Sequence, residues 1–350
     1  MQRKDARRLL ALAPMLAALA LTGCGGDSGG DKGATTAPAP ATASRPPATV
    51  TDEPSSTTSG TASTPGATAT SPAPPPASRG GLIVGMGDQN AVTFATPAFL
   101  ALGIKHARLI VPYDTASVGF ERRLVDQWMA AVRKAGIEPF VAFGHSRMHP
   151  DRLPGVAAYT AAVRAFRARY PQVRVFAAWN EINNQSQPTF RHPERAAAYF
   201  DALRAQCSGC TLVAGDVLDQ AGFASYLRRY RAALRSRPRI WGLHDYSDTN
   251  RFRSRGTRAF LQAVPGEVWL TETGGVARFG RSFPFDLQRQ ARALRYSFKL
   301  ARSSPRITRM YLYNWLGAKP GDRFDAGLVG PDGTSQRPAY RALARVLRGR

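Results

Sequence analysis

From residue 80 onward the chain alternates between two hydrophobic rhythms. Short runs rich in β-branched and aromatic residues, at 82–86, 107–111, 139–143, 173–179, 211–214, 240–244, 268–271 and 310–315, read as strands. Between them apolar positions recur every three or four residues. The stripe is clearest at 120–135, where Leu124, Val125, Trp128, Met129 and Val132 fall on one helical face. The same period marks 157–169, 193–205, 223–234 and 285–301, while the stretches at 97–102 and 257–264 are shorter and fainter. Repeated strand-then-helix order implies parallel strands joined by crossover helices. Eight such strands predict an α/β fold closed into a (β/α)8 barrel, a TIM barrel, over residues 80–350. An open doubly wound sheet fits less well, because Gly85-Met86-Gly87 lacks the rest of a dinucleotide fingerprint.

Before residue 80 both rhythms disappear. Arg3, Lys4, Arg7 and Arg8 precede an apolar run at 9–21, the layout of an export signal and too short for a spanning helix. The run ends in Leu21-Thr22-Gly23-Cys24, which resembles a bacterial lipoprotein box. That resemblance implies a signal peptide over 1–23 and a lipid on the Cys24 thiol. The expectation is a chain anchored to the outer face of the cell membrane by that lipid alone, or secreted. Residues 24–79 are Thr, Ser, Pro, Ala and Gly with almost no large apolar side chain. Such a segment cannot bury enough surface to offset its ordering entropy and reads as a disordered tether, with an r.m.s. reach of about 40 Å.

Charge changes this picture little. The chain carries 48 Lys+Arg against 24 Asp+Glu, a net charge of +24. Nucleic-acid binding is the sharp reading of such a balance. The basic residues are dispersed over exposed helix faces, however, and the chain reads as exported, so no nucleic-acid partner is expected. A basic surface with some preference for anionic glycans is the plainer reading. Beyond Cys24 the only cysteines are Cys207 and Cys210, for which a disulfide is the default in an oxidising compartment, with free thiols or a redox or metal pair as alternatives.

In a barrel of this kind chemistry sits at the C-terminal strand ends. Glu181 closes the fourth strand in Ala178-Trp179-Asn180-Glu181, and Glu272 closes the seventh in Trp269-Leu270-Thr271-Glu272. Those strands face each other across the mouth, so two carboxyl groups could flank a glycosidic bond. Arg108 lies on the second strand, His244 and Tyr246 follow the sixth in His244-Asp245-Tyr246, and Trp315 follows the eighth in Tyr313-Asn314-Trp315. In this order the motifs resemble clan A of the glycoside hydrolases, nearest in style to families 39 and 5. The resemblance spans residues 80–350 as strand order but only short motifs as sequence.

The resemblance implies a retaining hydrolase of β-linked extracellular glycans. Glu181 would be the acid/base, kept protonated by burial and by the charge of Glu272. Glu272 would be the nucleophile, held ionised by Arg108 and Tyr246. Asn180 would bind the sugar 2-hydroxyl, and Trp315 would stack on a pyranose face. No metal or organic cofactor is required, and a monomer is expected. Asp88 and His145, after the first and third strands, are further cleft candidates, and Asp216 and Asp219 after the fifth are weaker ones. Each residue also has a structural reading: Arg108 as an ion-pair partner, His244, Tyr246 and Trp315 as core. Strict alternation would turn Trp179 and Trp269 outward and would send Asn180 and Glu181 to opposite faces. Competing functions are an inverting hydrolase pairing Glu181 with Asp216, a catalytically silent glycan-binding barrel, and the solute-binding lipoprotein of a transporter.

Overall fold

The computed structural model describes residues 81–349. The expected signal peptide, the Cys24 lipidation site and the tether lie outside them. Eight strands form a closed barrel: β1 (Ile83–Gly87), β2 (His106–Pro112), β3 (Glu138–Gly144), β4 (Val175–Ala177), β5 (Thr211–Leu218), β6 (Ile240–His244), β7 (Glu267–Thr273) and β8 (Ile307–Tyr313). All neighbours are parallel, and β8 closes on β1 from Ile83↔Arg309 to Gly87↔Tyr313. Around them run α1 (Pro97–Leu100), α2 (Gly119–Lys134), α3 (Val156–Arg169), α4 (Pro193–Gln206), α5 (Phe223–Ala233), α6 (Tyr246–Asn250), α7 (Arg255–Ala263), α8 (Leu287–Ala301) and α9 (Pro338–Arg348). None of the described helices is long and apolar enough to cross a membrane.

Side-chain alternation splits the core in two. Inward positions fill the barrel with Phe140, Ala142, Val175, Ala177, Val213, Trp269 and Tyr311. Outward positions such as Val141, Phe176, Ala214 and Leu270 meet the helices. The α2 stripe buries Val125, Trp128, Met129 and Val132. Cys207 and Cys210 are joined as a disulfide at the end of α4, with Cα atoms 5.5 Å apart.

The structure departs from the sequence expectation in several places. α9 is a helix the sequence reading did not identify, although Ala339, Tyr340, Ala342, Leu343 and Ala344 are buried on it while arginines mark its exposed positions. The fourth strand stops at Ala177 rather than running to Trp179. Trp269 turns into the barrel, 5.9 Å from the Phe140 ring and 6.4 Å from that of Tyr311, instead of toward the helices. The cause is a bulge. The β6–β7 register passes from Leu243↔Leu270 directly to His244↔Glu272, so Thr271 is the extra residue and the alternation inverts there.

The loop after β8 is a fastened structure. Phe324–Asp325 pairs antiparallel with Arg278–Phe279 from the loop after β7. The Asp325 carboxylate receives both Nη groups of buried Arg337 at 2.7 and 2.9 Å.

Candidate active site

Three local breaks in strand geometry aim polar side chains into the mouth. After β4 the chain passes through Glu181 with φ 50, a left-handed conformation rare for a residue with a side chain. Asn180 donates its backbone N–H to the Phe143 carbonyl and Ile182 donates to that of Asp216, which pins this kink to β3 and β5. The kink removes the alternation problem, since Asn180 and Glu181 both end beside the same cluster. On β5, Gly215 (φ 92) and Asp216 (φ 67) form a second irregularity, where the register with β6 slips between Gly215 and Val217. The bulge at Thr271 is the third, and it delivers Glu272.

Arg108, level with Gly87 across the β1–β2 pairing, organises what these breaks bring together. Its Nη1 donates to Glu272 Oε2 at 2.9 Å, and its Nη2 donates to Asn180 Oδ1 and Asp216 Oδ2, each at 2.6 Å. Tyr246 Oη donates to the other Glu272 oxygen at 3.0 Å. His244 bridges the carboxyl groups: Nδ1 lies 3.2 Å from Glu181 Oε1 and 3.9 Å from Glu272 Oε2, and Nε2 lies 3.9 Å from Asp216 Oδ2. Asn184 Nδ2 donates to Glu181 Oε2 at 2.6 Å. One carboxylate oxygen of Glu181 and one of Glu272 lie within 4.8 Å of each other and of a His244 nitrogen.

Burial is the largest single influence on Glu272, His244 and Arg108. It pushes the Glu272 carboxyl up, against the pull of His244, Arg108 and the Tyr246 hydroxyl, and the net position is above the ordinary carboxylate range. Arg108 and Tyr246 therefore moderate the shift of Glu272 but do not reverse it. Burial pulls His244 down, yet Glu272, Glu181 and Asp216 outweigh it and raise its proton affinity. Arg108 loses solvation but gains more from Asp216 and Glu272, so it stays charged.

Glu181, His244 and Glu272 are also ligand types for a metal ion. The guanidinium 2.9 Å from Glu272 already supplies the positive charge that a divalent ion would bring, and repels one. The donor set suits proton transfer between carboxyl groups better.

Two candidates read from the sequence are corrected. Trp315 does not face a sugar. Its ring lies edge-on between Phe99 of α1 and Tyr340 of α9, at 5.5 and 5.8 Å, because the chain leaves β8 after Tyr313 and turns Trp315 outward. Tyr313 holds the aromatic position at that strand end, where burial and the charges of Glu272, Asp88 and Glu181 push its phenol up. Asp88 is a clamp: Oδ1 accepts the Asn90 N–H at 2.7 Å, and Oδ2 accepts that of Trp315 at 2.8 Å. Oδ1 thus fixes the turn after β1, and Oδ2 ties it to the segment after β8.

His145 is half-buried on the loop after β3, with a ring nitrogen 3.1 Å from Gln187 Oε1. Asp219 accepts the N–H groups of Ser247 and Asp248, at 2.9 and 2.6 Å, and so fixes the turn of α6 that carries Tyr246. Asn183 exchanges two hydrogen bonds with the Leu218 backbone rather than facing a ligand. Sequence reading undervalued Asp216 and Asn184. A Gly-Asp pair at a strand end and an Asn three residues after an acid were the available signals.

No known protein family profile matches the sequence, and no curated protein does. Solved structures do share the fold. A family 39 β-xylosidase from Caulobacter crescentus is 18% identical, with 78% of this chain and 72% of that one covered and a TM-score of 0.53. A glucosidase from Croceicoccus marinus gives 14% identity, 77% and 67% coverage, and 0.57. Xylanase 10B from Thermotoga petrophila, solved with xylobiose, gives 10%, 77% and 94%, and 0.52. At these identities the likeness is one of fold: an eight-stranded parallel barrel carried by glycoside hydrolases.

Proposed function

We propose that the chain is a retaining glycoside hydrolase acting on β-linked glycans, with Glu272 as nucleophile and Glu181 as acid/base. The observation that carries this reading is the approach of the two carboxyl groups to within 4.8 Å, oxygen to oxygen. Retention needs carboxyl groups about 5–5.5 Å apart, whereas inversion needs about 6.5–9.5 Å to admit a water. The neighbours divide the roles. Glu272 is held by a fixed cation and a hydroxyl, which orient an attacking carboxylate. Glu181 contacts an amide and an imidazole, which orient a proton donor.

In the first step a Glu272 oxygen bonds to the anomeric carbon as the bond to the leaving oxygen breaks. The Glu181–His244 pair delivers the proton that the leaving oxygen takes up. Water then attacks the same carbon, Glu181 accepts its proton, and the ester to Glu272 breaks. Asn180 offers its amide nitrogen to the sugar 2-hydroxyl while its oxygen stays on Arg108. Tyr313 and Tyr246 supply the aromatic surface beside the nucleophile, with Phe324 packed on both at 6.2 Å. With a β-xylosidase, a glucosidase and a xylanase among the solved structures of this fold, aryl xylosides and glucosides are the substrates to try first.

Glu272→Ala tests the assignment. Hydrolysis of aryl β-glycosides should fall by about 10⁶-fold, the scale on which loss of a nucleophile acts. Azide should restore turnover and yield a glycosyl azide of inverted configuration. A mutant that retains wild-type turnover would refute the nucleophile assignment.

On sequence grounds we infer export and lipid attachment at Cys24 as well. Cys24→Ser should move the protein from the membrane fraction to the medium. Unchanged partitioning would remove the anchor from the account.

A further inference from the structure

The two-carboxylate mechanism gives Asp216 no task, yet the fold goes to some length to place it. The residue adopts a left-handed conformation (φ 67) directly after a left-handed glycine, at the β5 irregularity. Strand β6 leaves space for it: a methyl group on Gly242 would stand 2.3 Å from Asp216 Oδ1 and 2.9 Å from Thr271 Oγ1. The side chain is fully buried, and Oδ1 has no hydrogen-bond partner among the described residues. Its Oδ2 lies 2.6 Å from Arg108 Nη2 and 3.9 Å from His244 Nε2.

We propose that Asp216 is a positioning residue that shares the Arg108 cation with Glu272 and so sets how firmly the nucleophile holds its proton. What the tuned carboxylate is used for rests on the hydrolase reading; the tuning itself does not. One guanidinium lies between two carboxylates, 2.6 Å from Asp216 and 2.9 Å from Glu272. Without Asp216 the whole of that charge would act on Glu272. The carboxylate would hold its negative charge more tightly, making it a weaker nucleophile and a better leaving group. With Asp216 in place the guanidinium is partly neutralised from the far side. When Glu272 becomes an ester and loses its charge, Arg108 still has a carboxylate partner and is not left as an isolated buried cation.

The other groups facing Glu272 are accounted for. Arg108 from β2, His244 from β6 and the Tyr246 hydroxyl from α6 favour its ionised form, and Glu181 from the end of β4 opposes it. The Tyr313 phenol from β8 lies close enough to feel its charge. Asp216 acts on Glu272 chiefly through Arg108 at 2.6 Å, and more weakly through His244, 3.9 Å away, whose proton affinity it raises.

Asp216→Asn keeps the shape and one acceptor for Arg108 while removing the charge. Carbon-13 NMR titration of the Glu272 carboxyl in the unliganded full chain should show its midpoint lowered by about one pH unit relative to wild type. The acidic limb of kcat/KM should move down with it. A purely structural Asp216 would lower stability and leave both positions alone. Should D216N fail to fold, Gly242→Ala displaces the same carboxylate sterically and should move the midpoint in the same direction by less. An unmoved or raised Glu272 midpoint in the variant that folds overturns the proposal. A wild type inactive on every glycan, with the NMR shift present, would instead sink the hydrolase reading and leave the tuning intact.

Discussion

Two buried acidic groups sit at the same end of the barrel and are satisfied in opposite ways. Asp88, at the seam between β1 and the segment after β8, spends both oxygens on backbone N–H groups. Its own carbonyl accepts Trp128 Nε1 at 2.8 Å, so the residue joins three parts of the chain. The cluster around Arg108 is joined through side chains: Arg108 donates to Glu272, Asn180 and Asp216, Tyr246 donates to Glu272, and His244 contacts Glu181. Its backbone carries left-handed Glu181 and Asp216, whereas Asp88, Asn90 and Trp315 all keep negative φ and no cation is among the bonded partners of the Asp88 carboxylate. A carboxylate neutralised by main chain cannot change partners without unfolding something. One neutralised by other titratable side chains can gain and lose protons in place, and strain of about 1–3 kcal/mol per residue is the cost of holding it there.

Exchanging the two losses gives the largest test of that contrast. Glu181→Gln should reduce kcat by about 10²–10⁴-fold, the range for general acid–base groups, with the melting temperature unchanged or raised. Asp88→Ala should do the reverse. It leaves the buried Trp315 N–H unpaired at about 1–3 kcal/mol and frees the part-buried Asn90 N–H, lowering the melting temperature by several degrees while the folded fraction keeps activity within a few-fold. Calorimetry and steady-state kinetics on both variants decide it, and an Asp88 variant that is stable but inactive would break the division.

The aromatic pair at the end of β8 sharpens the same division on a smaller scale. Trp315→Ala removes a ring packed between α1 and α9 and should cost about 3–5 kcal/mol of stability, a melting-temperature loss of order 10 °C. Tyr313→Ala should cost less stability, since Tyr313 is half-buried, and should raise KM for aryl glycosides. If Tyr313→Ala left KM unchanged and Trp315→Ala raised it in the folded fraction, the outward placement of Trp315 would be wrong.

These two tyrosine and tryptophan positions show where sequence reading works and where it stops. The strand–helix alternation was legible because barrel strands are short apolar runs and α2 has a sharp stripe. Glu181 and Glu272 were legible as acids at strand ends. Which way a residue points past a strand end was not, because period-two alternation holds only while the ladder is regular. The extra residue at Thr271 turned Trp269 inward, the kink at Glu181 brought Asn180 and Glu181 together, and the exit after Tyr313 sent Trp315 outward. Asp216 stayed obscure for a related reason. Its importance comes from a contact with Arg108 across 108 residues of sequence, made by a bulge whose local mark is no more than the Gly215-Asp216 pair.

The smallest expected effect concerns how the seam responds to pH. Burial raises the Asp88 carboxyl to about 6 from 3.8, despite the N–H bonds from Asn90 and Trp315. Between those values the folded protein holds a proton that the unfolded chain has released, so stability falls as pH rises through this window. A shift of about two units corresponds to roughly 3 kcal/mol at most, complete once the pH passes the folded value. Asp88→Asn is neutral throughout and lacks this dependence, though its amide N–H₂ meets a backbone N–H and lowers stability at every pH. The stability gap between wild type and Asp88→Asn should therefore be widest near pH 4 and shrink toward pH 7. Urea denaturation across that range reads it directly. A gap that widens with pH would mean that the two backbone N–H groups stabilise the Asp88 carboxylate more than burial penalises it, the opposite of the balance at Glu272.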